Sequence, residues 1–212
     1  KMRAWLAGGG DFYSEGFKPD KRDIIIAVDA GFARLKALGI SPHLVVGDFD
    51  SLEYVPTHPN IKKHPCIKDD TDTMLAVKKG IELGCDEFFI FGGTGGRIAH
   101  TLGNIQVLAN LAESGKIGYL IDKDYIITAI RKCSLVFDSE HTGYISLLPW
   151  GAREAEVTIK GLAYELDRSP LPSYRPLGIS NEFTGKQAKI TTFDNLVVAV
   201  FENHGMYPKK EA

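Results

Sequence analysis

The sequence predicts an α/β fold in which a Rossmann-like domain with a parallel sheet, residues 1–130, precedes an all-β sandwich or barrel, residues 131–212. Three observations carry that prediction. As far as Asp122, strand-like apolar runs alternate with stretches at helical spacing, the order that builds a parallel sheet with right-handed crossovers. Beyond about residue 130 the helical spacing stops, and short β-rich segments follow one another between turn residues. The composition, 44% hydrophobic and 25% charged over 212 residues, is that of an ordinary soluble chain long enough for one large or two small domains.

Met2 to Ala7 reads as the first strand and runs straight into Gly8-Gly9-Gly10, a turn that also lets a ligand approach the backbone. Ile24 to Val28 is a second strand, apolar throughout as strands covered on both faces are. It ends at Asp29, and Ala30 to Leu38 reads as a short helix closed by Gly39. Asp29 is either a ligand contact or the cap of that helix. Leu44 to Val46 is the third strand; past a loop marked by Pro56 and Pro59, Ile61 to His64 is a short edge strand. Met74, Val77 and Ile81 stand at helical spacing, with Asp70 or Thr71 as cap and Gly84 as stop.

Glu87 to Phe91 is the next strand. A helix follows from about Ile98, with apolar positions at Ile98, Leu102, Ile105, Leu108 and Leu111, and Ile117 to Ile121 closes the α/β series. In the second domain Ser134 to Phe137, Gly143 to Leu148, Glu156 to Ile159, Lys189 to Thr192 and Leu196 to Phe201 read as strands. The stretch from Arg168 to Pro176 reads as a proline-rich loop within that domain.

The bulk numbers exclude several classes. A formal net charge of −2 provides no basic field for nucleic acid or a membrane surface. The cysteines, Cys66, Cys85 and Cys133, are odd in number and form no CxxC pair, which fits a reducing compartment and argues against zinc or a disulfide scaffold. No apolar run reaches the roughly 18 residues of a membrane helix, and no charged-then-apolar leader precedes Met2. The expectation is a cytoplasmic protein.

The chemistry gathers in three places. In Gly47-Asp48-Phe49-Asp50-Ser51 two carboxylates stand one residue apart at a strand's carboxyl end, where open α/β sheets bind ligands. Such a pair repels unless a hard cation such as Mg²⁺ lies between; the plainer reading is a solvated acidic turn. In Lys68-Asp69-Asp70-Thr71-Asp72-Thr73 the acids exceed what a helix cap needs, and Asp69 and Asp72 are spaced to face one ligand. In Gly92-Gly93-Thr94-Gly95-Gly96-Arg97 a glycine-rich loop joins a strand to a helix N-terminus and ends in an arginine. That is an anion site of a kind that matches neither Walker A nor GxGxxG. His100, one turn into the helix, can reach the same anion or be structural.

Taken in order, GDFDS, KDDTDT, GGTGGRIAHTLGN, ISLLPW and GISNEF resemble thiamine pyrophosphokinase of the bacterial type, over about Ala27 to Phe183. The resemblance implies Mg²⁺-dependent transfer of a pyrophosphoryl group from ATP to the hydroxyl of thiamine, giving thiamine diphosphate and AMP. It also implies a homodimer with active sites between subunits, the nucleotide and metal held by the α/β domain and thiamine by the other subunit's β domain. Asp48, Asp50 and Asp72 then match the acidic metal and catalytic positions, Asp69 the acidic lead of the second motif, and Arg97 the triphosphate-facing arginine. Asp29, Thr94, Gly95, Gly96 and His100 join them around the nucleotide, and Trp150, Ser180 and Asn181 fall in the segments that form the thiamine pocket.

Two departures stand out. The family's GGR-x-Asp-His reads Gly95-Gly96-Arg97-Ile98-Ala99-His100 here, without the acid, and its Asp-Gly-Gly-Ala reads Asp29-Ala30-Gly31-Phe32. On chemical grounds Asp72 is the favoured acceptor of the hydroxyl proton, and Trp150 is either a stacking face for thiamine or a core residue. Two rival readings compete. Asp48-Phe49-Asp50 fits an aspartyl-nucleophile phosphatase, whose motif usually sits on the chain's first strand. Ala99 fits a thiamine- and nucleotide-binding module without catalysis.

Overall fold

The computed structural model describes residues 1–47, 61–63 and 70–212, of which 61–63 as backbone only. Two compact units result, residues 1–107 with 118–123 and residues 108–117 with 124–212. Most of the regular structure is strand.

In chain order the first elements are β1 (Met2–Ala7), β2 (Ile24–Val28), α1 (Gly31–Ala37), β3 (Leu44–Gly47), β4 (Ile61–Lys63), α2 (Asp72–Glu82), β5 (Cys85–Phe91), α3 (Ile98–Glu113) and β6 (Ile117–Ile121). The strands of the first unit lie in the order β4-β3-β2-β1-β5-β6. The pairs β1–β2, β1–β5, β2–β3 and β3–β4 are parallel, so their carboxyl ends emerge along one edge. β1 is central, and Ala4, Leu6 and Ala7 are fully buried. Trp5 stacks on Phe89 at 4.7 Å between ring centroids and meets Phe17 edge-on at 5.5 Å, so aromatic surface closes the core at β1 and β5.

The expected elements of this unit are present, with ends shifted by a residue or two. Gly39 and Gly84, at φ 69° and 87°, stop α1 and α2. The apolar stripe read on α3 needs correction: Ile98 is 70% and Leu102 47% exposed, so core burial begins only at Ile105. Thr101 and Asn104, both polar, are buried in its first turns instead.

The second unit contains β7 (Tyr125–Ile130), β8 (Ser134–Phe137), β9 (Tyr144–Trp150), β10 (Glu154–Lys160), β11 (Leu166–Pro172), β12 (Asn181–Glu182), β13 (Ala188–Thr192), β14 (Leu196–Glu202) and β15 (Lys209–Glu211). One layer runs β12-β9-β14-β7 and the other β11-β10-β13-β8-β15, antiparallel throughout. Phe137 of β8 packs edge-on against Phe201 of β14 at 5.2 Å, joining the layers as a sandwich. Four strands of this unit are absent from the sequence reading: the short β12 and β15, and the longer β7 and β11. β7 is an apolar run without alternation that follows β6 after only three residues. β11 occupies much of the stretch read as a proline-rich loop; as the outermost strand of its layer, it tolerates Pro170 and Pro172. Ser173 N–H donates to Arg153 O at 2.9 Å, so by alternation the missing N–H groups of Pro170 and Pro172 belong to the open side. Among the described residues no helix is long and apolar enough to cross a membrane.

Gly31 opens α1 with its α-carbon against β1: an added Cβ would lie 1.7 Å from Ala7 O. Gly31→Ala should therefore destabilise the protein by about 1–3 kcal/mol through overpacking. Urea unfolding checks this; an unchanged midpoint would mean that α1 does not dock on β1 as described.

Candidate active site

Parallel pairing brings the loops after β1, β2 and β5 together at the sheet edge. The first and third of these loops are joined by backbone alone. Gly8 N–H donates to Phe91 O at 2.7 Å, Gly10 N–H to Gly92 O at 2.8 Å, and Asp11 N–H to Thr94 O at 2.9 Å. A Cβ on Gly8 would stand 2.6 Å from Gly92 O, and one on Gly92, whose φ is 68°, would stand 2.3 Å from Gly8 O. Both positions require glycine for that approach.

Over these loops lies a cleft of about 680 Å³, within the usual size of small-molecule sites. Gly8 to Gly10, Asp29 and Ala30 form one side; Thr71, Asp72 and Thr73 at the start of α2, the Gly92–Arg97 loop and the first turns of α3 form the rest. Of the residues anticipated around the nucleotide and metal, Asp29, Asp72, Thr94, Gly95, Gly96, Arg97 and His100 all line this single cleft. Asp48, Asp50 and Asp69 lie outside the described residues.

Each side chain is positioned by its element. Asp29 ends β2 in the left-handed region, φ 47°, with its N–H donating to Val46 O at 2.9 Å. An aspartate accepts that conformation at a cost of about 1 kcal/mol, a strain typical of functional positions. The N-cap of α1 is Ala30, without a side-chain bond, and not Asp29. Instead Asp29 Oδ1 lies 1.9 Å from where a Cβ of Gly47 would be. Gly47 thus admits this carboxylate at the end of β3, directly before Asp48 in the chain.

In the second motif the acids are divided. Thr71 caps α2, accepting from Met74 N–H at 3.3 Å, and Asp70 pairs with Lys78 at 2.5 Å. Asp72, half-buried at the first position of α2, turns to the cleft. On the far side Arg97 and His100 are exposed, which leaves a cation and an imidazole facing solvent where an anion can enter. Thr94 is buried with its hydroxyl donating to Asp122 Oδ2 at 2.6 Å, so it presents backbone, not hydroxyl, to the cleft. Asn104 donates from Nδ2 to Gly93 O at 2.7 Å. Gly103 and Asn104 also line the cleft and were missed in the sequence. Their signal was present, since 99, 100, 103 and 104 share one helix face.

The second unit contains the three residues expected at thiamine. Trp150 is half-buried at the end of β9, opposite Leu196 of β14. Ser180, φ 58°, is exposed, and its N–H donates to Ser146 Oγ at 3.0 Å. Asn181 is buried, and its amide bridges both backbone groups of Tyr164, accepting at 3.0 Å and donating at 2.8 Å. Asn181 pairs with Ile145 in β9, so five residues of strand, roughly 16 Å, separate it from Trp150 along the strand.

Comparison with known proteins accounts for both units. Residues 19–119 match the family described as thiamin pyrophosphokinase, catalytic domain, and residues 132–197 that described as thiamin pyrophosphokinase, vitamin B1 binding domain. The chain is 31% identical to a thiamine pyrophosphokinase of Bacillus subtilis over 188 residues, 85% of this chain and 88% of that protein. It is 26% identical to a thiamin pyrophosphokinase of Caenorhabditis elegans over 78% of this chain and 72% of the other. The crystal structure of the Bacillus subtilis thiamine pyrophosphokinase superposes with a TM-score of 0.84 at 28% identity, covering 96% of this chain and all of the other.

Gly103 provides a test of the cleft. A Cβ there meets nothing within 4 Å, and its place inside α3 favours alanine by roughly 0.5–1 kcal/mol. Gly103→Ala should raise the urea midpoint while weakening ATP binding several-fold, because the methyl enters the cleft. Titration calorimetry beside urea unfolding separates the two effects; tighter or unchanged ATP binding would move the nucleotide off this wall.

Proposed function

The chain belongs to the thiamin pyrophosphokinase family, and we propose that it transfers a pyrophosphoryl group from ATP to the hydroxyl of thiamine, giving thiamine diphosphate and AMP. It is an ATP-dependent transferase. One observation carries the assignment of the site: a single cleft at the strand ends is lined by a glycine-rich anion loop, Arg97, and the carboxylates of Asp29 and Asp72. Glycine backbone and an arginine receive phosphate oxygens, while carboxylates on the other wall suit a cation that polyphosphate carries with it. This favours a Rossmann-like nucleotide domain, residues 1–130, with thiamine on residues 131–212.

Asp29 and Asp72 provide hard oxygen donors, the kind Mg²⁺ takes, and Asp48 and Asp50 follow Gly47 directly in the chain as the remaining acids of that site. When bound, Mg²⁺ neutralises the phosphate oxygens and raises the electrophilicity of the β-phosphorus. The protein's own part is positioning. Backbone N–H groups of the Gly92–Arg97 loop and the Arg97 guanidinium hold the triphosphate, His100 flanks it, and Asp72, three residues after the acid Asp69 in the same motif, accepts the thiamine hydroxyl proton as attack proceeds. Trp150 offers an aromatic face to the cationic thiazolium or the pyrimidine, with Ser180 and Asn181 shaping the pocket around them.

The full site is formed in a homodimer, each thiamine pocket serving the nucleotide cleft of the partner subunit, and the protein acts in the cytoplasm. The phosphatase reading is not favoured: Asp48 follows β3, the third strand of the chain, not the first.

Phosphorus NMR of the protein with ATP, Mg²⁺ and thiamine should show AMP and thiamine diphosphate; ADP or free phosphate would contradict the assignment. Asp72→Asn should lower kcat by on the order of a hundredfold or more with the fold intact by circular dichroism. Co-expression of Asp72→Asn chains with chains carrying Trp150→Ala and Ser180→Ala tests the shared site. About half the dimers are mixed, each with one undamaged site, so about a quarter of wild-type activity should return. Mixed dimers seen by mass spectrometry without that recovery would put both halves of the site in one chain.

A further inference from the structure

The glycine-rich loop is held from behind by a residue outside the cleft lining. Four of the six residues from Gly92 to Arg97 are glycine, and Gly92, Gly95 and Gly96 have φ of 68°, 79° and 57°. Such a segment loses more backbone entropy on ordering than one of ordinary composition. Anion binding through backbone N–H groups nevertheless needs those groups fixed in direction before the ligand arrives.

Only Thr94, of the side chains between those glycines, can tie the loop down. It is 1% exposed, and its hydroxyl donates at 2.6 Å to Asp122 Oδ2, a charge-assisted bond. Asp122 is the first residue beyond β6, the strand next to β5, and is not among the residues lining the cleft. A carboxylate this near an anion site would oppose phosphate by charge alone. Its placement behind the loop, accepting from Thr94, is consistent with a different use.

We infer that Asp122 is a positioning residue for the reaction, acting through Thr94 to hold the Gly92–Arg97 backbone in its phosphate-receiving form. The inference rests on the reading of the cleft as the ATP site. Without the bond the loop samples other conformations, and apparent affinity falls in proportion to the competent fraction. If about a tenth of molecules remain competent, ATP binding weakens about tenfold while thiamine binding is untouched.

Equilibrium binding of Mg²⁺-ATP and, separately, of thiamine to the full-length protein provides the test. Asp122→Ala and Thr94→Val should each weaken ATP about tenfold and leave thiamine affinity unchanged. The double variant should be no weaker than the weaker single, since one bond is removed only once. Asp122→Asn, whose amide oxygen still accepts from Thr94, should recover ATP binding to within about twofold of wild type. ATP binding by Asp122→Ala within about twofold of wild type would overturn the inference. So would equal weakening of ATP and thiamine, or an Asp122→Asn as weak as Asp122→Ala. Should Asp122→Ala fail to fold, Thr94→Val decides, and its unchanged ATP affinity would overturn the inference as well. This binding pattern among the variants, with no AMP formed by the wild-type protein, would refute the reaction assigned above and leave the bracing intact.

Discussion

The contact on which the rest of the first unit depends is made without side chains. Beyond the ends of β1 and β5, the backbone continues to exchange hydrogen bonds through Gly8, Gly10 and Asp11 on one side and Phe91, Gly92 and Thr94 on the other. Two loops that elsewhere would wander apart are therefore kept in register by the sheet itself. Glycine is the residue that allows it, because each chain passes where the other's Cβ would stand. The cleft floor becomes an extension of the sheet edge, and the groups that line the cleft stand on it.

Around this floor the charges are separated. Carboxylates come from β2 and the start of α2, and the guanidinium and imidazole from the loop and helix that follow β5. Asp70, which by sequence could have joined the acids, is neutralised by Lys78 on the next turns of α2. Asp29 and Asp72 are the carboxylates that line the cleft itself. The left-handed backbone at Asp29 belongs to the same arrangement: the residue is held in a conformation it does not prefer, and Gly47 leaves space for its carboxylate.

Much of this was legible in the sequence because it follows from periodicity and from glycine and acid punctuation. β1, β2, β3, β5 and β6 and the three helices appear as apolar runs and 3.6-residue spacing bounded by turn residues. Seven cleft residues were readable from motifs at strand ends and at the starts of helices. What stayed hidden needed three dimensions. Thr94 looks in sequence like a hydroxyl offered to phosphate, yet folding turns it toward Asp122, 28 residues away. Asn181 looks like a ligand contact, but its amide is engaged by the backbone of Tyr164. β7 lacked alternation because nearly all of its side chains are buried, and Ile98 and Leu102 matched a helical stripe that the core does not extend to cover. The prolines of β11 read as loop residues because no local signal distinguishes an outermost strand from a turn.

Those prolines have a consequence for the protein's behaviour in a crowded solution. A strand at the margin of a layer is a template on which another chain can add itself, and runaway addition of that kind ends in insoluble fibres. Pro170 and Pro172 remove two of the donors such addition would need, on the side where, among the described residues, no strand pairs with β11. β11 is also interrupted: its register with β10 shifts between Val157 and Ile159, and Arg168 takes a φ of 42°. The kinked, donor-poor margin is unsuited to stacking, so this end of the sandwich is protected against polymerisation by the residues that made it unrecognisable as a strand.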